Sequence, residues 1–346
     1  MSVKREFLGE TKTGAPIYGY HLTNSSGMEV CVLNYGAAIR NIFVFDKNGE
    51  KKDVVLGYED VSGYFDNDCF LGIVVGPSAN RVANAAYSID GKIFTMEKND
   101  GPNNLHTDME NGFHKRIWEA SETEDSVTFT LKAEDGDLGF SGNRVFTVTY
   151  TLSNDNALSL HYHATSDKKS LMNLTNHCYF NLGGHNSGSI LDHVAQFNAE
   201  KTTPVREGLI PTGEIKSVEG TPLDFRQAKP IGKDINSDDE QIKIAGGFDH
   251  NFCVDGADGT RRTFATVTCP ETGITMQCST TLPAFQFYTG NFLKAEGGKE
   301  GAVYKERDGF CLETQIHPNA VNQKEFPDCI FGPEREYDTT TVYRFM

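Results

Sequence analysis

The sequence predicts an all-β fold of antiparallel sheets packed face to face, on three observations. Segments that alternate apolar and polar residues recur along the chain, turn-forming residues punctuate them, and no stretch alternates strand and helix as a parallel α/β sheet requires. In "SVTFTLKAE", Val127, Phe129, Leu131 and Ala133 fall on one side, and Ser126, Thr128, Thr130 and Lys132 on the other. "FTVTYTL" repeats the pattern with Phe146, Val148, Tyr150 and Leu152, and "SNDN" turns the chain into "ALSLHYHA", which predicts a hairpin. "TFATVTC" and "ITMQCST" flank "PETG" and predict a second. Helical signal is scarce: "YEDVSGYFDND" predicts a turn or two of helix over 58–68, and "RQAKPIGKDINSDDEQIKIAGG", 226–247, reads as an exposed excursion. No proline- or serine-rich linker, charge block, low-complexity tract or repeat divides the chain, so 1–346 is read as one domain.

Composition narrows the function. The chain has 32 basic and 48 acidic residues, a formal net charge of −16, which repels phosphate backbones and anionic lipid and argues against nucleic-acid or membrane-surface roles. No stretch is long and apolar enough to cross a bilayer, and "MSVKREFLGETKTG" has no apolar signal core, so a cytoplasmic location is expected. The eight cysteines contain no C-x-x-C pair and read as free thiols packed as small hydrophobes.

Candidate site residues stand where polar groups interrupt apolar context. On a strand, "NLTNHCYF" would set Asn173, Thr175, His177 and Tyr179 on one polar face, either washed by solvent or lining a site. "PNNLHTD" embeds His106 in turn formers, and "GPSANRV" delivers Asn80 and Arg81 at the end of an apolar run. "AGGFDHNF" holds Asp249 among aromatics, "LPAFQFYTGN" sets Gln286 between Phe285 and Phe287, and "GFCLETQIHP" points Glu313 to one face of an apolar segment. Taken singly, these also fit a solvated face, a plain loop histidine, a surface arginine or a salt-bridged structural glutamate. Together, carboxylates, amides, histidines and aromatic faces suit a neutral polyol better than an anion or a metal. His161 and His163 lack a third ligand at suitable spacing, and no glycine-rich phosphate loop or calcium loop is present.

Seven blocks in order carry a resemblance: "NYGAAIRNIFVFDKNGEKKDVVLGYED", "ANRVANAAYSIDGK", "NNLHTDMENGFHKRIW", "NLTNHCYFNLGG", "GFDHNF", "LPAFQFYTGN" and "ETQIHPNA". The chain resembles the aldose 1-epimerase (galactose mutarotase) family nearly end to end. The resemblance implies a β-supersandwich of stacked, mainly antiparallel sheets with few short helices and an open sugar cleft. It implies Glu313 as general base and His177 as general acid, His106 as a second sugar-facing histidine, Asn80, Arg81, Asp249 and Gln286 as binders of sugar hydroxyls, and Tyr179 as a lining residue. The partner implied is a small-molecule sugar, with no cofactor and no metal, and the protein a monomer or homodimer.

Anomers interconvert by ring opening, so a base at the C1 hydroxyl and an acid at the ring oxygen are expected to flank a groove one pyranose wide. Glu313 is expected as carboxylate and His177 as imidazolium near neutral pH. Two departures from the family pattern are visible: Gly76-Pro77 where many members read Gly-Arg, and His-Thr-Asp from His106 where a glycine pair commonly follows the histidine. Both are expected to bear on sugar preference. Rival readings are a glycoside hydrolase using Asp249 and Glu313, a non-catalytic sugar-binding relative, and an epimerase of a phosphorylated hexose, for which only Arg81 offers a cation.

Overall fold

In the computed structural model, which describes residues 1–346, the period-two segments form the centre of a nine-stranded antiparallel sheet. Strands Ser126–Ala133, Arg144–Leu152 and Ala157–Ser166 set Phe129 opposite Val148 and Val148 opposite Tyr162, which makes one face an apolar row. The last strand, Tyr337–Phe345, inserts between Ala157–Ser166 and Thr275–Thr280 and so joins the first hairpin to the second, Arg262–Thr268 with Thr275–Thr280.

Two five-stranded sheets pack with it, and five two-stranded ladders complete the architecture. A five-stranded meander running from Ser2–Glu10 to Lys51–Asp53 meets the large sheet through Tyr20, edge-on to Phe129 at 5.5 Å, and through the Tyr150 hydroxyl, which donates to the Ala37 carbonyl at 2.6 Å. A second five-stranded sheet contains Asp249–Cys253, Ala284–Tyr288 and Cys311–Gln315 side by side. Its Phe252, Phe285 and Phe287 pack on Phe197 and Phe264 of the large sheet with ring centroids 4.4 to 5.3 Å apart. Stacked sheets sharing aromatic side chains are how two half-apolar surfaces leave water together. One cluster of 71 buried apolar residues runs through all three sheets.

Over 58–68 the expected turn of helix forms, as the 3-10 turn Val61–Tyr64. One local expectation changes. The segment 226–247 is no mere surface excursion: it holds the one α-helix, Glu240–Ala245, capped by the Asp239 side chain on Gln241 N–H and ended by Gly246 in the left-handed region. Ile231, Ile235 and Ile242 from this stretch enter the core. All eight cysteines are free, and no helix is long and apolar enough to cross a membrane.

A buried ion pair ties the N-terminal meander to the loop near residue 300. Lys299 Nζ donates to Asp53 at 2.5 Å and to the carbonyls of Val55 and Arg40 at 2.7 and 2.9 Å, so its three protons are all used. Removing one partner of such a pair strands the other charge. Lys299→Met is expected to lower unfolding free energy by about 3–5 kcal/mol, seen as a lower urea midpoint at unchanged slope; an unmoved midpoint would show the pair to be energetically idle.

Candidate active site

Register alone brings the polar residues of the second small sheet together. Directly opposite residues share a face, so Asn251, Gln286 and Glu313 form one row and Asp249, Tyr288 and Cys311 the next, on the side away from the phenylalanines. Alternation sends Phe310 and Leu312 into the core and Glu313 into the space above the sheet. Glu313 is 2% exposed; its Oε2 has no hydrogen-bond partner, and its Oε1 lies 3.7 Å from His177 Nε2.

His177 arrives on a segment that is not the strand its pattern predicts. Only Thr175–Asn176 forms a ladder, with Val74–Val75, while Asn173 and Phe180 make isolated bridges, and Asn173 to Phe180 are all buried. The two asparagines of this stretch serve backbone. Asn173 donates to the Ile316 carbonyl at 3.0 Å and accepts from Ile316 N–H at 2.9 Å, while Asn176 donates to the Gly72 carbonyl at 2.8 Å. His177 and Tyr179, with rings 5.0 Å apart, are the two that line the cavity.

The opposite wall is a strained turn. Asn80 and His106 hold φ of 58° and 55°, and Thr107 of 78°, left-handed values that side chains adopt only when their surroundings force them. His106 N–H donates to the Asn80 carbonyl at 3.1 Å, and Asn80 N–H donates to His106 Nδ1 at 3.2 Å. Buried Asn104 spans the turn to Thr107, whose hydroxyl accepts from Ser78 N–H and donates to its carbonyl, both at 3.0 Å. Arg81 is steered by Asp100, which accepts from its Nε at 2.8 Å, and its Nη1 reaches within 3.9 Å of Asp249.

These walls enclose a cavity of about 170 Å³ lined by Asn80, Arg81, His106, His177, Tyr179, Asp249 and Glu313, with Asp68, Cys69, Phe70, Leu105, Tyr288 and Phe292. The volume is below the ~300–1,000 Å³ of drug-sized pockets and suits one small ligand. Gln286 does not line it: it donates to Asp249 at 2.6 Å and accepts from Gln315 at 3.1 Å, and so holds Asp249 from behind. Glu313 and His177 stand side by side, not across a groove from each other. Tyr288 shares the face of Asp249 and Cys311, which period two from Gln286 would have flagged; Phe70 and Asp100 carried no comparable sequence signal. His161 and His163 lie elsewhere, each paired with a carboxylate, Asp338 or Glu336.

Burial sets the charges. Loss of water pushes Glu313 well above the usual carboxylate range, Asp249 adds to the rise and Arg81 opposes it. The same loss of water brings His177 down to about 4, against a hydrogen bond to its own backbone. Burial therefore disfavours the charged form of both groups and opposes the carboxylate–imidazolium partition expected from ordinary values, because the sequence does not reveal how dry the pair is. His106 is also held well below its usual value by burial, with His177, Arg81 and His114 adding. Because Asn80 N–H occupies Nδ1, neutral His106 carries its proton on Nε2. His106, His177 and Glu313 lie close enough to share a cation, with ligand atoms within 4.8 Å, but His106 presents an N–H there and not a lone pair.

Comparison with known proteins agrees over the whole chain. A family profile described as "Aldose 1-epimerase" matches residues 18–344. Galactose mutarotase of Bos taurus is 40% identical over 346 residues, covering 100% of this chain and 99% of the relative. Aldose 1-epimerase of Escherichia coli (strain K12) is 38% identical over 336 residues, 96% of each. Among solved structures, an aldose epimerase homologue from C. elegans superposes with a TM-score of 0.87 at 32% identity, covering 94% of this chain and 98% of that one. Galactose 1-epimerase from Lactobacillus acidophilus superposes with a TM-score of 0.86 at 30% identity, covering 100% and 99%.

The buried histidines make stability depend on pH. Burial brings His177, His193, His250 and His317 to about 4 and His114 to about 3. Between about 6.5 and these values the unfolded chain binds protons that the folded chain does not, so their contribution to stability is present above about 6.5 and is lost as pH falls. The melting temperature is expected to drop steadily from pH 7 to pH 5, and less steeply in His177→Asn; a flat profile would contradict the burial.

Proposed function

The chain belongs to the aldose 1-epimerase family, and on that premise we propose that Glu313 and His177 are its proton-transfer pair, with Asn80, Arg81, His106 and Asp249 holding the sugar. The enzyme interconverts the α and β anomers of a free hexose such as galactose or glucose. The observation that carries the residue assignment is the buried, unpartnered Glu313 Oε2 beside His177 in a cavity for one small ligand. An orphan buried carboxyl oxygen is costly unless a ligand completes it.

The hydroxyl on C1 must lose a proton and the ring oxygen gain one. Both oxygens are bonded to the same carbon, so two protein groups 3.7 Å apart can each face one of them. As sugar seats, the C1 hydroxyl donates to Glu313 and the ring oxygen accepts from His177. Each contact favours the charged form of its group, so the proton resting on Glu313 moves to His177. Glu313 then takes the C1 hydroxyl proton while His177 protonates the ring oxygen. The C1–O5 bond breaks, the open aldehyde turns about C1–C2, and closure on the other carbonyl face runs the same transfers backwards with the roles exchanged. His106 Nε2–H, Arg81 and Asp249 hold the remaining hydroxyls, Gln286 fixes Asp249, and Tyr179 covers a face of the ring.

Only protons change place, so the chemistry calls for no cofactor or metal. The cavity's carboxyl groups are those of Asp68, Asp249 and Glu313 against a single guanidinium, Arg81, itself engaged by Asp100, which supports a neutral sugar over a phosphorylated one. The free cysteines support a reducing compartment such as the cytoplasm.

Polarimetry of freshly dissolved α-galactose tests the assignment. Glu313→Gln and His177→Asn are each expected to lower kcat by about a hundredfold to ten-thousandfold; either variant at the wild-type rate would overturn it. Activity needs one proton on the pair. Below about 4, where His177 gains its proton, no base remains; above the raised value of Glu313, no acid remains. The acid limb of kcat/KM in the free enzyme is therefore expected near 4 and not near 6.5, and dialysis against a chelator is expected to leave the rate unchanged.

A further inference from the structure

The wall that faces both histidines is the loop 67–72, and Phe70 is its tip. The buried Phe70 ring lies 4.8 Å from the His106 ring, 5.0 Å from His114 and 5.8 Å from His177, nearly parallel to the last at 29°. Its backbone has φ of 59°, a left-handed conformation that a bulky residue does not choose by itself. Fully buried Asn67 imposes it: Oδ1 accepts from Leu71 N–H at 2.8 Å, Nδ2 donates to the Leu71 carbonyl at 3.2 Å, and Phe70 N–H donates to the Asn67 carbonyl at 3.2 Å. The Tyr58 hydroxyl braces this clasp at 3.3 Å. Gly72 closes the turn at φ of 72°, where a Cβ would stand 2.1 Å from the Ile39 carbonyl oxygen.

We propose that Phe70 is a positioning residue for the proton pair: the Asn67 clasp presses its ring against His106 and His177, fixing the imidazole planes and keeping water from them. The proposal rests on the reading that Glu313 and His177 move the protons. An aromatic ring offers these imidazoles no proton, so its whole effect is geometric and dielectric. His177 is otherwise faced by Glu313, His106, Tyr179, Tyr288 and Cys311, with Asp249 and Arg81 beyond Glu313. His106 is faced by His177, His114 and Arg81. Asp68 and Cys69 lie on the loop itself, at the cavity. Replacing Phe70 changes none of these groups.

The test is nitrogen-15 NMR titration of the imidazoles in the sugar-free protein, assigned with His106→Asn and His177→Asn, beside pH profiles of kcat/KM. In Phe70→Ala the His177 midpoint is expected to rise by about one unit or more as water enters. The acid limb should move with it, and kcat should fall about tenfold or more while KM changes far less. Phe70→Leu, which keeps the volume nearly filled, should fall between Ala and wild type, and Phe70→Tyr should restore both readouts. If Phe70→Ala does not fold, Phe70→Leu carries the test. A lost rate with an unmoved His177 midpoint and acid limb, or no change in either, would reduce Phe70 to ordinary packing. Absence of anomer interconversion in the wild type would instead sink the functional reading, and the NMR midpoints would still decide the role of Phe70.

Discussion

One strand imposes the central constraint. Cys311–Gln315 must alternate, and the side of Phe310 and Leu312 is committed to a core of phenylalanines, so Glu313 faces only the narrow cavity above the sheet and is 2% exposed. A carboxylate without solvent or a cation is expensive, and the cheaper solution is for it to keep its proton and stand beside a base that has none. His177 stands beside it, and the same burial lowers its affinity for a proton, so the dryness of the site disfavours the charged form of both groups. The strained turn at Asn80 and His106, the clasp at Asn67 and the tether from Asp100 to Arg81 all shape the space above this pair.

The fold was legible because its largest sheet is built from long strands with one wet face, which leave a period-two record: Val127 to Ala133 and Phe146 to Leu152 are read directly. What was not legible is short or doubly buried. "NLTNHCYF" alternates in sequence, but both of its sides are enclosed, so Asn173 and Asn176 are polar in order to serve neighbouring backbone, not to form a site face. The helix Glu240–Ala245 has six residues, too few to display a 3.6-residue period, although Asp239 and the following glycines mark its ends.

The site divides in the same way. Polar residues in apolar surroundings, such as Glu313 and Asp249, announce themselves. Phe70 does not, since "CFLGIVVG" reads as one apolar run and nothing in it reveals a left-handed backbone at its second residue. Asp100 hides among turn formers. The shifts at the pair were not legible for a physical reason: reference values describe groups in water, and the sequence names the groups without saying that they are buried.

The two departures from the family pattern lie on segments that hydrogen-bond to each other. Thr107 stands where glycine is common, at φ of 78°, and Ser78 follows Pro77; the Thr107 hydroxyl accepts from Ser78 N–H and donates to the Ser78 carbonyl. Neither Pro77 nor Thr107 lines the cavity, and Thr107 is buried behind His106. A threonine in a left-handed turn is strained, and two hydrogen bonds to one neighbouring residue offset that strain. Thr107 thus braces the His106 turn from behind the cavity. The groups that do line the cavity are, at its rim, Asp68, Cys69 and exposed Phe292, and within it the N–H that Asn80 imposes on His106.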